Sequence, residues 1–129
     1  GLERTASLVR GQGGLVVAPH PFDRRRKGAG EALHGIAHLL DAVEVFNSRT
    51  ADPKAFGLTA QFAEKYNLAA VAGSDAHVPS EIGLATTVLD DLPVDADSAR
   101  ALFMGATIRG RAISFFERVV ARVRRSFRI

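Results

Sequence analysis

The chain reads as an α/β protein whose mainly parallel strands alternate with helices. Two observations predict this. Short apolar runs and amphipathic helical stretches take turns along the 129 residues, which is the rhythm of βα units. Each of the first three apolar runs also ends directly on polar residues: His20, then Asn47, then Asp75 and His77. Parallel strands set their carboxyl ends along one sheet edge, where α/β folds gather ligands and catalytic groups. Three polar strand ends, distant in sequence, are therefore expected to converge.

The elements follow in order. Residues 15–18 form an apolar run stopped by Pro19-His20-Pro21 and read as a buried strand. Residues 31–40 place Leu33, Ile36, Ala37 and Leu40 on one helical face. A second strand covers 42–46 and ends at Asn47. Asp52-Pro53 supplies an N-cap and a first-turn proline for a helix reaching Tyr66, with Leu58, Phe62 and Tyr66 as its core stripe. Residues 69–72 make a third strand, closed by Gly73-Ser74-Asp75-Ala76-His77, and a fourth covers 85–89. Asp95 or Asp97 caps a helix running to Gly105. The last segment, about 111–128, is an amphipathic basic helix, with Ile113, Phe116, Val120, Val123 and Phe127 at helical spacing and Arg118, Arg122 and Arg125 elsewhere on the wheel.

Composition narrows the function classes. Hydrophobic residues are 47% and charged residues 24% of the chain, as in ordinary globular domains. No apolar run approaches the roughly 18 residues of a membrane span, and nothing at the start looks like a signal peptide, so a cytoplasmic location is the default expectation. With no cysteine, disulfides, thiolate metal sites and cysteine nucleophiles are excluded, leaving His, Asp and Glu as metal ligands. The chain opens on Gly1 and its only methionine is Met104, so residue 1 is expected to be a processing site or a boundary within a longer chain.

The net charge of +3 is unevenly spread. Arg24, Arg25, Arg26 and Lys27 form one basic run, and residues 109–129 hold seven arginines against Glu117 alone. Residues 28–108 carry 11 acids and 4 bases, a local balance of −7. A basic run beside a candidate site suits an anionic substrate, whereas a basic tail is by itself a solvated face.

Asp75 and His77 are the foremost candidate ligands. Residues i and i+2 past a strand point the same way, so a carboxylate and an imidazole can address one cation of the Zn²⁺, Mn²⁺ or Fe²⁺ kind. The plain alternative is a turn cap and a polar loop residue. His20, fixed between two prolines, suits either a rigid ligand or a structural turn. His34 and His38 are spaced i, i+4, but no glutamate completes a metal motif there, and a solvated pair is the ordinary reading. Asn47, at the strand tip, can hydrogen-bond substrate or water, or simply make a turn. Glu44 points either inward beside the site or outward to solvent. One of the four residues 24–27 is expected to hold a phosphate through a planar guanidinium fork or an ammonium, the rest being solvated. Gly11-Gln12-Gly13-Gly14 precedes its strand, so it is not a dinucleotide fingerprint.

Ala18-Pro19-His20-Pro21-Phe22, Glu44-Val45-Phe46-Asn47 and Gly73-Ser74-Asp75-Ala76-His77, followed by Ile82-Gly83 and Thr86-Thr87-Val88, together resemble the later motifs of the PHP (polymerase and histidinol phosphatase) superfamily. The resemblance spans roughly residues 8–92. It implies a distorted (β/α)7 barrel with two or three Zn, Mn or Fe ions at its carboxyl end and hydrolysis of phosphate esters by metal-activated water. His20, Asp75 and His77 match the family's later metal ligands. The branch it is most similar to includes small bacterial phosphoesterases acting on nucleotides or short oligonucleotides. The family's first motif, His-x-His, and its acidic second motif have no counterpart. Residues 1–129 are therefore expected to be the carboxyl-terminal portion of a PHP-type domain: a partial barrel lacking about three βα units, inactive alone, and completed by an amino-terminal half or a partner. Its open sheet edges invite homo-oligomers. Two other readings stand beside it: a degenerate half-barrel serving as a non-catalytic interaction or regulatory module, and an amidohydrolase-like enzyme acting on C–N bonds.

Overall fold

A computed structural model describes residues 1–26, 28–50 and 52–127, with side chains as far as Val123. Helix α1 (Leu2–Gly11) leads into β1 (Val17–Ala18); a three-ten turn (Arg24–Arg26) and a long three-ten helix (Gly30–Leu39) follow. Then come β2 (Ala42–Asn47), α2 (Pro53–Tyr66), β3 (Ala69–Gly73), a three-ten turn (Pro79–Glu81), β4 (Ala85–Val88), α3 (Ala96–Met104), β5 (Thr107–Gly110) and α4 (Phe115–Phe127).

The first three strands form a parallel sheet in the order β1-β2-β3, so their carboxyl ends share one edge as expected. Among the described residues the sheet does not close into a barrel. The fourth strand forms at the expected place, but β4 and β5 make a separate antiparallel pair beside the parallel set; β5 itself went unforeseen. β4 lies alongside β3 through a side chain: Thr87 Oγ1 accepts from the Ala72 amide at 2.8 Å and donates to the Ala72 carbonyl at 3.0 Å. A hydroxyl can do both at once, and it replaces a backbone ladder there.

Helices cover both faces. Val43 on β2 points into a cluster with Ala18, Leu33, Ile36, Ala37, Leu40, Phe62 and Ala63, while its neighbour Ala42 joins Ala69 and Val71 on the other face, with Phe103 of α3 packed on them. Alternation along the strand produces that division. Full burial of Phe62, 3% exposed, contributes roughly 1.5–3 kcal/mol.

Local rules account for the element ends. Asp52 caps α2 through the Lys54 amide with Pro53 behind it, and Asn67 closes α2 in the left-handed conformation at φ 50°. Asp95 caps α3, in a reciprocal box with Ser98. Ser114 and Glu117 make the same exchange at the start of α4, which therefore begins later than residue 111. Two core assignments need correction. Leu58 is 45% exposed, because the buried stripe of α2 is Ala55, Thr59, Phe62 and Ala63, an i, i+4, i+7, i+8 row that leaves Leu58 to one side. On α4, Phe116 is 75% and Val123 50% exposed, and the buried residue is Ala121; the side chains of Arg125 and Phe127 lie outside the described ones, as does Lys27 entirely.

Asp41, just ahead of β2, ties the periphery down. It accepts from the Val16 amide at 2.7 Å, from Arg10 of α1 at 2.8 Å and from Arg100 of α3 at 2.7 Å. Burial would raise its pKa, but these donors outweigh it and hold the carboxyl below its ordinary value. Among the described residues no helix is long and apolar enough to cross a membrane.

Candidate functional site

The three strand ends meet in a chain of hydrogen bonds centred on Asn47. Its amide nitrogen donates to Glu44 Oε2 at 2.9 Å and to Asp75 Oδ2 at 3.3 Å. Its amide oxygen accepts from the Arg49 backbone at 2.8 Å and from Arg26 Nη1 at 3.3 Å. Asn47 is buried, so all of this replaces water. Glu44 Oε2 in turn accepts the His20 amide at 2.8 Å, which joins the end of β1 to the ends of β2 and β3.

Glu44 thus faces inward. A bulge in β2 makes this possible: pairing with β3 shifts between Glu44 and Phe46, so one extra residue brings side chains 44 and 47 to the same side. A glycine across the sheet makes room. A Cβ at Gly73 would lie 2.3 Å from Glu44 Oε1, so only a residue without a side chain lets the carboxylate rest over β3.

The loop after β1 is wound tightly. Asp23, 2% exposed, accepts the Arg25 amide with its side chain and the Arg26 and Gly28 amides with its carbonyl. A Cβ at Gly28 would meet the Pro21 carbonyl at 2.3 Å, so this glycine allows the return of the chain. The three-ten turn fans the arginines about 120° apart. Arg24 and Arg25 point to solvent, and Arg26 turns in to pair with Asp75. One arginine of the run therefore reaches the strand-end cluster.

His20 and Asp75 both have positive φ, 32° and 51°, in a region that costs a non-glycine residue of order 1 kcal/mol or more and is over-represented at functional sites. His77 Nδ1 lies 2.8 Å from the Asp75 carbonyl oxygen; a carbonyl only accepts, so Nδ1 is the donor in this hydrogen bond. The His77 amide donates to Glu81 Oε2 at 2.7 Å, and Arg49 Nη1 reaches both Glu81 oxygens at 2.6 and 2.7 Å. Burial raises the pKa of Glu81, but the His77 amide and Arg49 more than offset it and hold the carboxyl below its ordinary range. Arg49 and Glu81 escaped the sequence reading. Their only signal was the polar run Asn47-Ser48-Arg49-Thr50 continuing past the strand tip.

His34 and His38 do not face each other. The helix that carries them is three-ten, so four residues turn the side chain away by about 120°. His34 is half-buried, bonded to the Tyr66 hydroxyl at 2.7 Å with its ring edge-on to Phe62, and is therefore a packing residue and not half of a solvated pair. His38 is exposed.

The fit to a cation is partial. His20 Nδ1 is buried without a hydrogen-bond partner among the described residues, a donor atom with capacity unused. Asp75 Oδ1 stands 3.9 Å from His77 Nδ1. Yet no group of three or more His, Asp or Glu side chains placed to hold a metal ion occurs among the described residues, and Arg26 fills the position beside Asp75 where a cation would sit.

A parallel sheet with helices on both faces and a polar cluster at its strand ends is the arrangement of α/β proteins that work at the carboxyl edge. Residues 53–107 match the PHP-associated family, which is consistent with the carboxyl-terminal region of a PHP-superfamily protein, as the motifs implied. Two uncharacterized proteins of Methanocaldococcus jannaschii are similar: one is 35% identical over 92 residues, covering 67% of this chain and 39% of its own length. The other is 40% identical over 50 residues, covering 39% of this chain and 28% of its own length. The chain thus spans well under half the length of these curated relatives. No solved structure matches it.

Proposed function

We propose that this chain is the carboxyl-terminal part of a PHP-type, partial-barrel phosphoesterase. Its strand-end cluster acts on phosphate esters of nucleotides or other small phosphorylated compounds in the whole protein. The single observation that carries this is the convergence of His20, Asn47 and Asp75, from three separate strands, through the Glu44 carboxylate and the Asn47 side-chain amide. In this proposal His20, Asp75 and His77 contribute to a cluster of two or three Zn, Mn or Fe ions whose remaining ligands come from outside residues 1–129. Asn47 orients substrate, and Glu44 fixes the His20 loop. Arg26 receives the phosphoryl group: an incoming dianion competes for its guanidinium, and the exchange frees the Asp75 carboxylate. A cytoplasmic location and self-association along the open β1 edge belong to the same proposal.

The test is hydrolysis of a generic phosphomonoester by the longer parent protein with Mn²⁺, Zn²⁺ or Fe²⁺ supplied. Loss of at least a hundredfold in turnover is expected for His20→Ala and Asp75→Asn, and no turnover from residues 1–129 alone. Full turnover by residues 1–129, unaffected by His20→Ala, would reject the reading.

The second reading, a non-catalytic module that docks a partner, is favoured by one observation: Phe115 and Phe116 of the basic helix α4 are 82% and 75% exposed. A parent protein without metal-dependent turnover, retained by a partner only while both phenylalanines are present, would select it.

A further inference from the structure

Helix α4 turns its apolar side outward. Phe116, Val119 and Val123 stand at i, i+3 and i+7, one stripe of the helix, and are 75%, 43% and 50% exposed. Phe115 beside them is 82% exposed. Ala121, nearly opposite the stripe at about 100° per residue, is 4% exposed and marks the side that meets the body of the protein. The helix is held in this attitude from its start. The Ile113 amide donates to the Ser48 carbonyl at 2.8 Å, and Ile113 is itself 4% exposed. Glu117, the one acid of α4, is taken up by Arg111 at 2.6 and 2.9 Å. The fold also gathers positive charge at the aromatic end. Phe115 shares the wall of one cleft with Arg25 and Arg118, so two basic segments far apart in sequence meet around an exposed ring. Neither of these guanidiniums makes an ion pair among the described residues. At 13 residues α4 is too short to cross a bilayer.

We propose that the outer face of α4 binds an anionic lipid surface, with the helix in the plane of the membrane and Phe115, Phe116, Val119 and Val123 among the acyl chains. A short helix with aromatic and branched apolar residues on one side and arginines around the rest has the make-up of interfacial helices. Arg25 and Arg118 flank Phe115 and reach lipid phosphates at the edge of the inserted face. Other occupants use less of this surface. A second copy would set one arginine-rich helix against another, and like charges repel. A single nucleic-acid strand has use for arginines and phenyl rings, but none for the valines that continue the stripe. Lipid docking does not depend on the phosphoesterase reading.

The experiment is sedimentation of the full chain with vesicles of phosphatidylcholine alone, and of phosphatidylcholine and phosphatidylglycerol in equal parts. Binding to the anionic vesicles is expected, at least tenfold tighter than to the neutral ones and weakened by added salt, which screens exposed charge. Phe115→Ala/Phe116→Ala should weaken it at least tenfold, and Arg25→Gln/Arg118→Gln several-fold. Leu92→Ala/Val94→Ala removes apolar side chains that are 85% and 88% exposed near Asp90, Asp91 and Asp95, and should bind as the parent does. Thermal melts by circular dichroism check that each variant folds. Equal binding to both kinds of vesicle, binding to neither, or undiminished binding by the folded phenylalanine variant overturns the proposal. An equal loss in Leu92→Ala/Val94→Ala does the same. So does a chain that ignores vesicles yet dimerises, or holds a single-stranded oligonucleotide, through the same two phenylalanines.

Discussion

Asn47 and Glu44 share a hydrogen bond of 2.9 Å although they stand three residues apart on one strand. In an unbroken strand that spacing sends two side chains to opposite faces; the bulge after Glu44 cancels one alternation. The relationship decides what the site can be. With Glu44 outward, the His20 amide would lose its acceptor and the three strand ends would not be linked.

Asn47→Asp isolates the electrostatics of this link. An amide donates to two carboxylates, whereas a third carboxylate repels both Glu44 and Asp75. The variant should lose about 1–3 kcal/mol at pH 7, the scale for buried groups left unsatisfied, and less at pH 4, where carboxylates begin to protonate. Urea unfolding at the two pH values checks this; an equal deficit at both means that charge repulsion is not the cause.

The strand ends were legible in the sequence because a buried parallel strand is a short apolar run and the polar residue after it has to sit on one known edge. His20, Asn47 and Asp75 were identified that way. The inward turn of Glu44 was not, since a bulge leaves no mark in residue identity. The pitch of the helix carrying His34 was missed because 33, 36, 37 and 40 suit either a 3.6 or a 3.0 period. Arg49 and Glu81 lie 32 residues apart, and nothing local in a sequence joins an arginine after one strand to a glutamate after the next. The antiparallel β4–β5 pair was hidden because Thr107–Gly110 ends on arginine and glycine and lacks an apolar run.

Gly73→Ala tests the packing beneath Glu44. The new Cβ would stand 2.3 Å from Glu44 Oε1, so the carboxylate has to swing away and release the His20 amide and the Asn47 side chain. Loss of about 1–3 kcal/mol is expected, with amide exchange of His20 faster than in the parent. An unchanged His20 amide would show that Glu44 does not hold the loop.

Arg26→Ala separates the two roles proposed for Asp75. Its guanidinium pairs with the Asp75 carboxylate, so it competes with any divalent cation there. Removing it should tighten Mn²⁺ or Zn²⁺ binding by the parent protein several-fold while weakening phosphomonoester binding, and adding Asp75→Asn should abolish the gain. Calorimetric titration with each ion reads this directly. Unchanged metal affinity would mean that Asp75 does not face the cation.

Glu81 supplies a pH dependence whose sign follows from its environment. It is 3% exposed, and the His77 amide and Arg49 hold its pKa below the ordinary value of 4.5 despite burial. A carboxyl depressed in the folded state binds protons less readily there than in the unfolded chain, so its stabilisation is complete above that ordinary value and is lost as pH falls through the folded pKa. Glu81→Gln removes the ionised partner of Arg49 and should cost about 2 kcal/mol at pH 7, a deficit that shrinks as pH falls through the folded pKa and the parent's own carboxyl protonates. Asp41, also depressed, remains in both proteins and keeps some acid sensitivity in the variant. Denaturant midpoints taken from pH 7 down to the onset of acid unfolding give the comparison; a gap between the two proteins that stays constant over that range would show that the Arg49–Glu81 pair does not hold the His77 loop through its charge.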